Sequence, residues 1–245
     1  MTLLRDTGVV LRTYRLGEAD NIVVFLTEAH GKVRAVAKGV RRTSSKFGGR
    51  LEPLSHVALL LWQGRSELAV VNQVEVVDHF RTVRESLQRV AGALSMAEVA
   101  DQLAQDGHPD PGLYRMLVGA LRAMADVRTD PVMIVPAFFL KSLAYEGSEP
   151  VLTACTRCGR PGDEIGLVAF DMVEGGALCP GCRRGRAVSA EALDVVRRVL
   201  GGSLAQVLAA PRPECAPEVS LLATEAMESH LERRLRAVRS APALS

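Results

Sequence analysis

No stretch of this 245-residue chain is apolar for long enough to cross a bilayer as a helix. The longest apolar run, Val132 to Leu140, is interrupted by Pro136 and falls far short of the roughly 20 residues a membrane helix needs. The amino terminus, Met1-Thr-Leu-Leu-Arg5-Asp6, lacks the basic start and continuous apolar segment of a secretory signal. A soluble, cytoplasmic protein with no membrane partner is therefore expected. Catalytic signatures are missing as well. There is no Gly-x-Ser-x-Gly elbow, and Gly31-Lys32 has neither the upstream glycine nor the following Ser or Thr of a phosphate-binding P-loop. The histidines His30, His56, His79, His108 and His230 are scattered, and the carboxylates follow no metal-binding pattern. No active site is expected, so the protein reads as a non-enzyme. The absence of repeats and low-complexity segments excludes a solenoid.

Lysine is scarce, with four copies against 26 arginines, yet three of the four (Lys32, Lys38, Lys46) lie between Gly31 and Leu51. That stretch also contains Arg34, Arg41, Arg42 and Arg50 and no acidic residue, whereas the whole chain carries a net charge of only +2. A general bias toward arginine does not explain such clustering. In Lys32-Val-Arg-Ala-Val-Ala-Lys38 the strand period of two places Lys32, Arg34 and Lys38 on one face, with Val33, Ala35 and Ala37 on the other. Arg41 to Arg50 then reads as a flexible loop whose hydroxyls and small residues suit close approach to phosphates. Seven cations without a neighbouring carboxylate repel one another, a cost that a bound polyanion removes. Phe47 lies in the loop and is a candidate for stacking on an exposed base, with the alternative that it plugs the end of a barrel.

Four of the five cysteines form two Cys-x-x-Cys pairs, Cys155/Cys158 and Cys179/Cys182, separated by twenty residues. This spacing gathers four thiolates around one tetrahedral zinc ion, and the Gly and Pro beside each pair suit tight turns. A pair of disulfides is the alternative, disfavoured in a reducing compartment. A closed four-sulfur shell leaves no position for water or substrate, so the expected single Zn2+ is structural. A nucleobase deaminase would need His-x-Glu upstream of its Pro-Cys-x-x-Cys; here His230-Leu-Glu232 follows the cysteines, and Pro180 lies inside its pair. Cys215 stands alone and reads as a small apolar side chain.

Short runs rich in Val, Leu and Ile at Gly8–Leu16, Asn21–Thr27, Lys32–Lys38, His56–Trp62 and Leu68–Val76, punctuated by Gly and Pro, predict five strands. Five strands in about 80 residues suggest a small barrel of the oligonucleotide-binding (OB) type, an SH3-like barrel being the competitor. The period then becomes helical: Leu87, Val90, Ala91, Leu94, Ala97 and Asp101 recur at spacings of three and four. Further helices are predicted at Leu113–Ala125, at Pro131–Tyr145 behind an Asp130 cap, at Ala190–Leu200 behind a Ser189 cap, and at Pro217–Val238 with a Met227/Leu231/Leu235/Val238 stripe. The fold class is thus α+β. An OB barrel (residues 1–80) precedes a helical domain in two parts (81–150 and 188–245), with a four-cysteine zinc-ribbon insert between them (151–187).

The segment Gly31-Lys-Val-Arg-Ala-Val-Ala-Lys-Gly-Val-Arg-Arg42, then Gly49-Arg-Leu-Glu-Pro-Leu-Ser55, Glu75 leading to Phe80, and Phe139-Leu-Lys-Ser-Leu-Ala-Tyr-Glu-Gly147 running into Cys155-x-x-Cys-Gly together resemble the bacterial recombination mediator family RecO. The resemblance covers nearly the whole chain. It implies a non-enzymatic protein of DNA repair and recombination, at the nucleoid during repair, that binds single- and double-stranded DNA and anneals complementary strands. With RecR, such a protein helps load RecA onto strands coated by single-strand-binding protein (SSB). Arg34, Lys38, Arg41 and Arg42 fall on the family's basic DNA-binding segment, and Phe138 and Lys141 lie near the helix that would take the SSB C-terminal tail. An adaptor whose basic face docks an acidic protein is the alternative function. Arg183, Arg184 and Arg186, and Arg233, Arg234, Arg236 and Arg239, either extend the DNA path or are solvated surface.

Overall fold

The computed structural model describes residues 2–237; Val238 and Arg239 lie outside them. The chain divides into two compact units, one running to Asp126 and joined by Arg236 and Ala237, the other Val127–Leu235.

In the first unit, strands β1 (Thr2–Leu16), β2 (Asp20–Thr27), β3 (Gly31–Ala37), β4 (His56–Gln63) and β5 (Ala69–Asp78) close into a barrel of order β1-β2-β3-β5-β4. All pairings are antiparallel except β3 with β5, which meet only at Ala35–Ala69 and Val36–Val70. The predicted strands are all present. The main difference is β1, which begins at Thr2 because its first half pairs with β4 and its second with β2. A register shift between Val10 and Arg12 bends it from one partner to the other. Residues at the inward period, among them Val10, Val23, Phe25, Ala35, Val57, Leu61 and Val71, fill the barrel.

Helices α1 (Arg81–Arg84), α2 (Leu87–Leu103) and α3 (Pro111–Ala125) complete this unit. Side-chain caps open the two longer helices: Ser86 accepts from the Arg89 amide and Asp110 from the Leu113 amide. On α2 the buried face is Ala93, Met96, Ala97, Val99, Ala100 and Asp101, while Leu87 is 71% exposed. The stripe that starts at Leu87 is therefore rotated from the true core face, which small residues make hard to see in the sequence. Val24 and Leu26 point outward from β2, yet both are fully buried beneath the helices. Tyr114 of α3 ties in the barrel: its hydroxyl donates to Thr7 Oγ1 (3.0 Å) and meets His56 Nε2 (2.8 Å).

The second unit is built around α4 (Ile134–Tyr145), which follows a 3-10 turn capped by Asp130 and packs against α6 (Ala190–Leu200) and α8 (Ala216–His230). Between α4 and α6 the chain forms α5 (Gly162–Ile165) and a small sheet of β6 (Ala169–Asp171), β7 (Gly176–Leu178) and β8 (Arg186–Ala187), ordered β7-β6-β8. After α6 comes α7 (Leu204–Ala209). Ser189 caps α6 through the Ala192 amide (3.1 Å). Helix α8 ends at His230, short of the predicted limit; Met227 and Leu235 are fully buried.

Candidate nucleic-acid interface and metal centre

The basic strand is held at its start by close backbone packing. Gly31 has φ +67°, and a Cβ there would lie 1.9 Å from the His108 carbonyl oxygen, so only glycine lets the α2–α3 loop approach. The Lys32 amide donates to Gln105 O (3.2 Å), and the Gly107 amide donates to Lys32 O (3.0 Å). Lys32 is thereby bridged in parallel to Asp106.

This packing brings in carboxylates that the stretch itself lacks. Lys32 Nζ donates to Asp101 O (2.7 Å) and stands 3.6 Å from Asp101 Oδ1, while Arg12 Nε is 2.7 Å from Asp101 Oδ2. Arg34 is ion-paired with Asp106. The uncompensated set is therefore smaller than seven. Among the described residues no ion pair involves Lys38, Arg41, Arg42, Lys46 or Arg50, and all five are exposed. Asp101 is the partner that sequence reasoning missed. Its signal was a carboxylate within a helical run of apolar residues, where an acid is buried only if a cation meets it.

The loop after Lys38 is anchored, against the expectation of flexibility. The Gly39 amide donates to Asp20 Oδ1 (2.7 Å), the Arg41 amide to Ala19 O (3.0 Å), and Lys46 Nζ to Asn72 O (2.9 Å). Phe47, followed by a 3-10 turn at Gly48–Leu51, inserts into the barrel core and is only 2% exposed. Its ring is covered by the Lys46 ammonium 5.0 Å away, so the stacking role considered for Phe47 is corrected: it is the barrel's plug. Lys46, Phe47 and Arg50 form one wall of an open groove whose other wall is Asn72–Val76 of β5.

The four paired cysteines converge. Cys155 starts a turn closed by the Gly159 amide donating to its carbonyl (2.8 Å), and Cys179 starts a 3-10 turn in which the Cys182 amide donates back to Cys179 O (3.1 Å). Their Sγ atoms all lie within 4.8 Å of one another, Cys158 and Cys179 being 3.9 Å apart. Metal–sulfur bonds of about 2.3 Å in a tetrahedron place the sulfurs about 3.8 Å from each other, so these residues fit one metal ion and are consistent with zinc. Burial raises the Cys155 thiol, but amides of Cys179, Cys158 and Arg157 bring it down to about 6. Burial together with the neighbouring sulfurs pushes Cys182 up to about 12. Four thiolates this close do not form without a cation among them. Cys215 is buried, and burial raises its thiol, as suits an apolar role.

Other candidates are displaced. Phe138 is buried in α4 and Lys141 Nζ donates to Leu200 O (3.0 Å). Phe138 is interior because α4 is apolar around most of its girth and serves as the unit's central helix, so of the pair expected near the SSB tail only the half-buried Lys141 reaches the surface. Arg184 is ion-paired with Asp171 and Glu174, Arg186 with Glu225, and Arg234 with Glu228. Arg183 is exposed. Asp171 is held below the usual carboxylate range by the Glu174 amide, against the effect of burial and with help from Arg184; these bonds fix the β6–β7 turn.

Fold and sites together define a class: proteins with an amino-terminal OB-type barrel and a helical carboxy-terminal region that carries a four-cysteine cluster. Within that class the chain belongs to the recombination protein O family. The family's region described as Recombination protein O N terminal matches residues 1–80, and that described as Recombination protein O C terminal matches residues 84–239. Membership carries a role in recombinational DNA repair, and it bears out the resemblance drawn from the sequence. No helix among the described residues is long and apolar enough to cross a membrane.

Proposed function

We propose that the protein is a non-enzymatic recombination mediator. It binds single- and double-stranded DNA through its barrel, anneals complementary strands, and with RecR helps load RecA onto strands coated by SSB. The observation that carries this reading is the set of five exposed cations, Lys38, Arg41, Arg42, Lys46 and Arg50, with no carboxylate paired to them among the described residues. Lys32 and Arg34 stand at the margin of that surface and contribute once released from Asp101 and Asp106. Phosphate neutralisation lets two strands approach, and base pairing then supplies the selectivity. The bound metal is one structural Zn2+ held by Cys155, Cys158, Cys179 and Cys182, whose closed shell organises the turns without taking part in chemistry. The expected setting is the cytoplasm, at the nucleoid during repair.

A strand-annealing assay with complementary oligonucleotides across a salt series, with and without SSB, tests the function. Replacing Arg34, Lys38, Arg41 and Arg42 together with Glu should abolish DNA binding and annealing while circular dichroism and zinc content stay unchanged. Full annealing by that variant refutes the proposal. Retention of a protein partner after nuclease treatment, combined with no DNA affinity, would instead favour the adaptor reading.

A further inference from the structure

With Phe47 inside the barrel, Trp62 of β4 presents an aromatic ring on the outer face, 40% exposed and the chain's only tryptophan. The strand registers place Val70 of β5 beside it, Val36 of β3 beyond Val70, and Leu3 of β1 on its other side. Residues in register on neighbouring strands project to the same face. These four therefore form one row across the sheet, about 14 Å long at the usual strand spacing. Leu3 is 39% exposed, and Val36 and Val70 are half-buried. By contrast, Val24 and Leu26 of β2 are fully buried, so this row is a more open part of the barrel exterior.

Cations border the row. Arg34 lies two residues before Val36 and Arg5 two residues from Leu3, so the strand period puts both on the same face as Trp62, and Lys38 follows the end of β3 two residues beyond Val36. Lys38 and Arg5 are exposed and have no carboxylate partner among the described residues. Arg34 is paired with Asp106 and also feels Glu67 from the β4–β5 turn. An exposed indole between cations matches a ligand that alternates flat apolar faces with negative charges. A single-stranded nucleic acid has that chemistry. A duplex does not, because its base faces are already stacked.

We propose that Trp62 is a stacking platform for an unpaired base, with the strand crossing β1, β4, β5 and β3 and its phosphates meeting Arg5 and Lys38. This rests on the DNA-binding reading above and adds to it a device that separates single strands from duplex.

The single tryptophan makes the full-length protein its own reporter. Trp62 emission is followed while oligo-dT or a duplex is added, and anisotropy of the same labelled DNA measures binding independently. Quenching should saturate together with anisotropy for the single strand and be absent for the duplex. Trp62→Ala should weaken single-strand binding by about 5- to 150-fold, the range that loss of one base–aromatic stack implies. Duplex affinity and the salt dependence should hold, since no charge is removed, and Trp62→Phe should keep most of the affinity. Binding of oligo-dT by anisotropy with unchanged emission and an unaffected Trp62→Ala variant overturns the platform while leaving the DNA-binding reading intact. Equal losses on both DNAs also overturn it, by making Trp62 a structural residue. Absence of DNA binding by anisotropy in the unmodified protein instead defeats the underlying reading.

Discussion

Replacing Asp106 with Asn should make DNA binding more salt-dependent, although the substitution replaces no cation. Each phosphate neutralised on a single strand contributes about −0.7 to the slope of log K against log salt. Five unpaired cations therefore give about −3.5, whereas all seven of the Gly31–Leu51 stretch would give about −4.9. The difference is the share held by Asp101 and Asp106. A slope of −3.5 means that affinity falls about 130-fold between about 50 and 200 mM salt. Asp106→Asn removes the carboxylate that pairs with Arg34, freeing one cation, so the slope should steepen to about −4.2 and low-salt affinity should rise. Anisotropy of a labelled oligo-dT over that salt range reads both quantities. A wild-type slope already near −5 and unaltered by Asp106→Asn would show that the acid does not compete with phosphate. A slope near zero would remove the electrostatic account altogether.

Three other outcomes follow from the same geometry. Cys158→Ser should reduce bound zinc from one per chain to none by elemental analysis and make residues 151–187 protease-sensitive, while the DNA salt slope is unchanged. His56 is buried, its Nδ1 has no hydrogen-bond partner among the described residues, and burial followed by the charge of Arg122 lowers its pKa from 6.5. The unfolded chain therefore takes up the proton first. Stability should be full above about 6.5 and fall below it by at most about 1.4 kcal/mol per pH unit, a dependence that urea titrations should find reduced in His56→Gln. Gly31→Ala forces a Cβ against His108 O at a positive φ and should cost about 2–4 kcal/mol in the same titrations.

The barrel was legible because its inward and outward residues alternate and its turns carry Gly and Pro, signals that lie within a few residues of one another. The metal ligands were legible for the same reason: Cys-x-x-Cys fixes local geometry. What escaped depended on distant pairings. Nothing near Lys32 or Arg34 announces Asp101 and Asp106, which arrive from a helix and loop some seventy residues later, so the charge of the strand looked fuller than it is. Phe47 sits among polar loop residues, yet its loop turns inward. Helix α2 buries mostly Ala and Ser around Met96 and Val99, so its core face gives a weak periodic signal, and α4 buries most of its girth, which conceals that Phe138 is interior.

The bridge between Lys32 and Asp106 bears on modularity. Strand β3 meets β5 at only two residue pairs, and its opening residues lean instead on the loop between α2 and α3. A fragment cut between the two matched family segments, after residue 80, would lose that support, uncover Val24 and Leu26, and strip Arg12 and Lys32 of their buried acid. The smallest piece that could be transplanted into another protein, or shuffled between proteins over evolutionary time, therefore extends through the end of α3 and carries α1, α2 and α3 with the barrel.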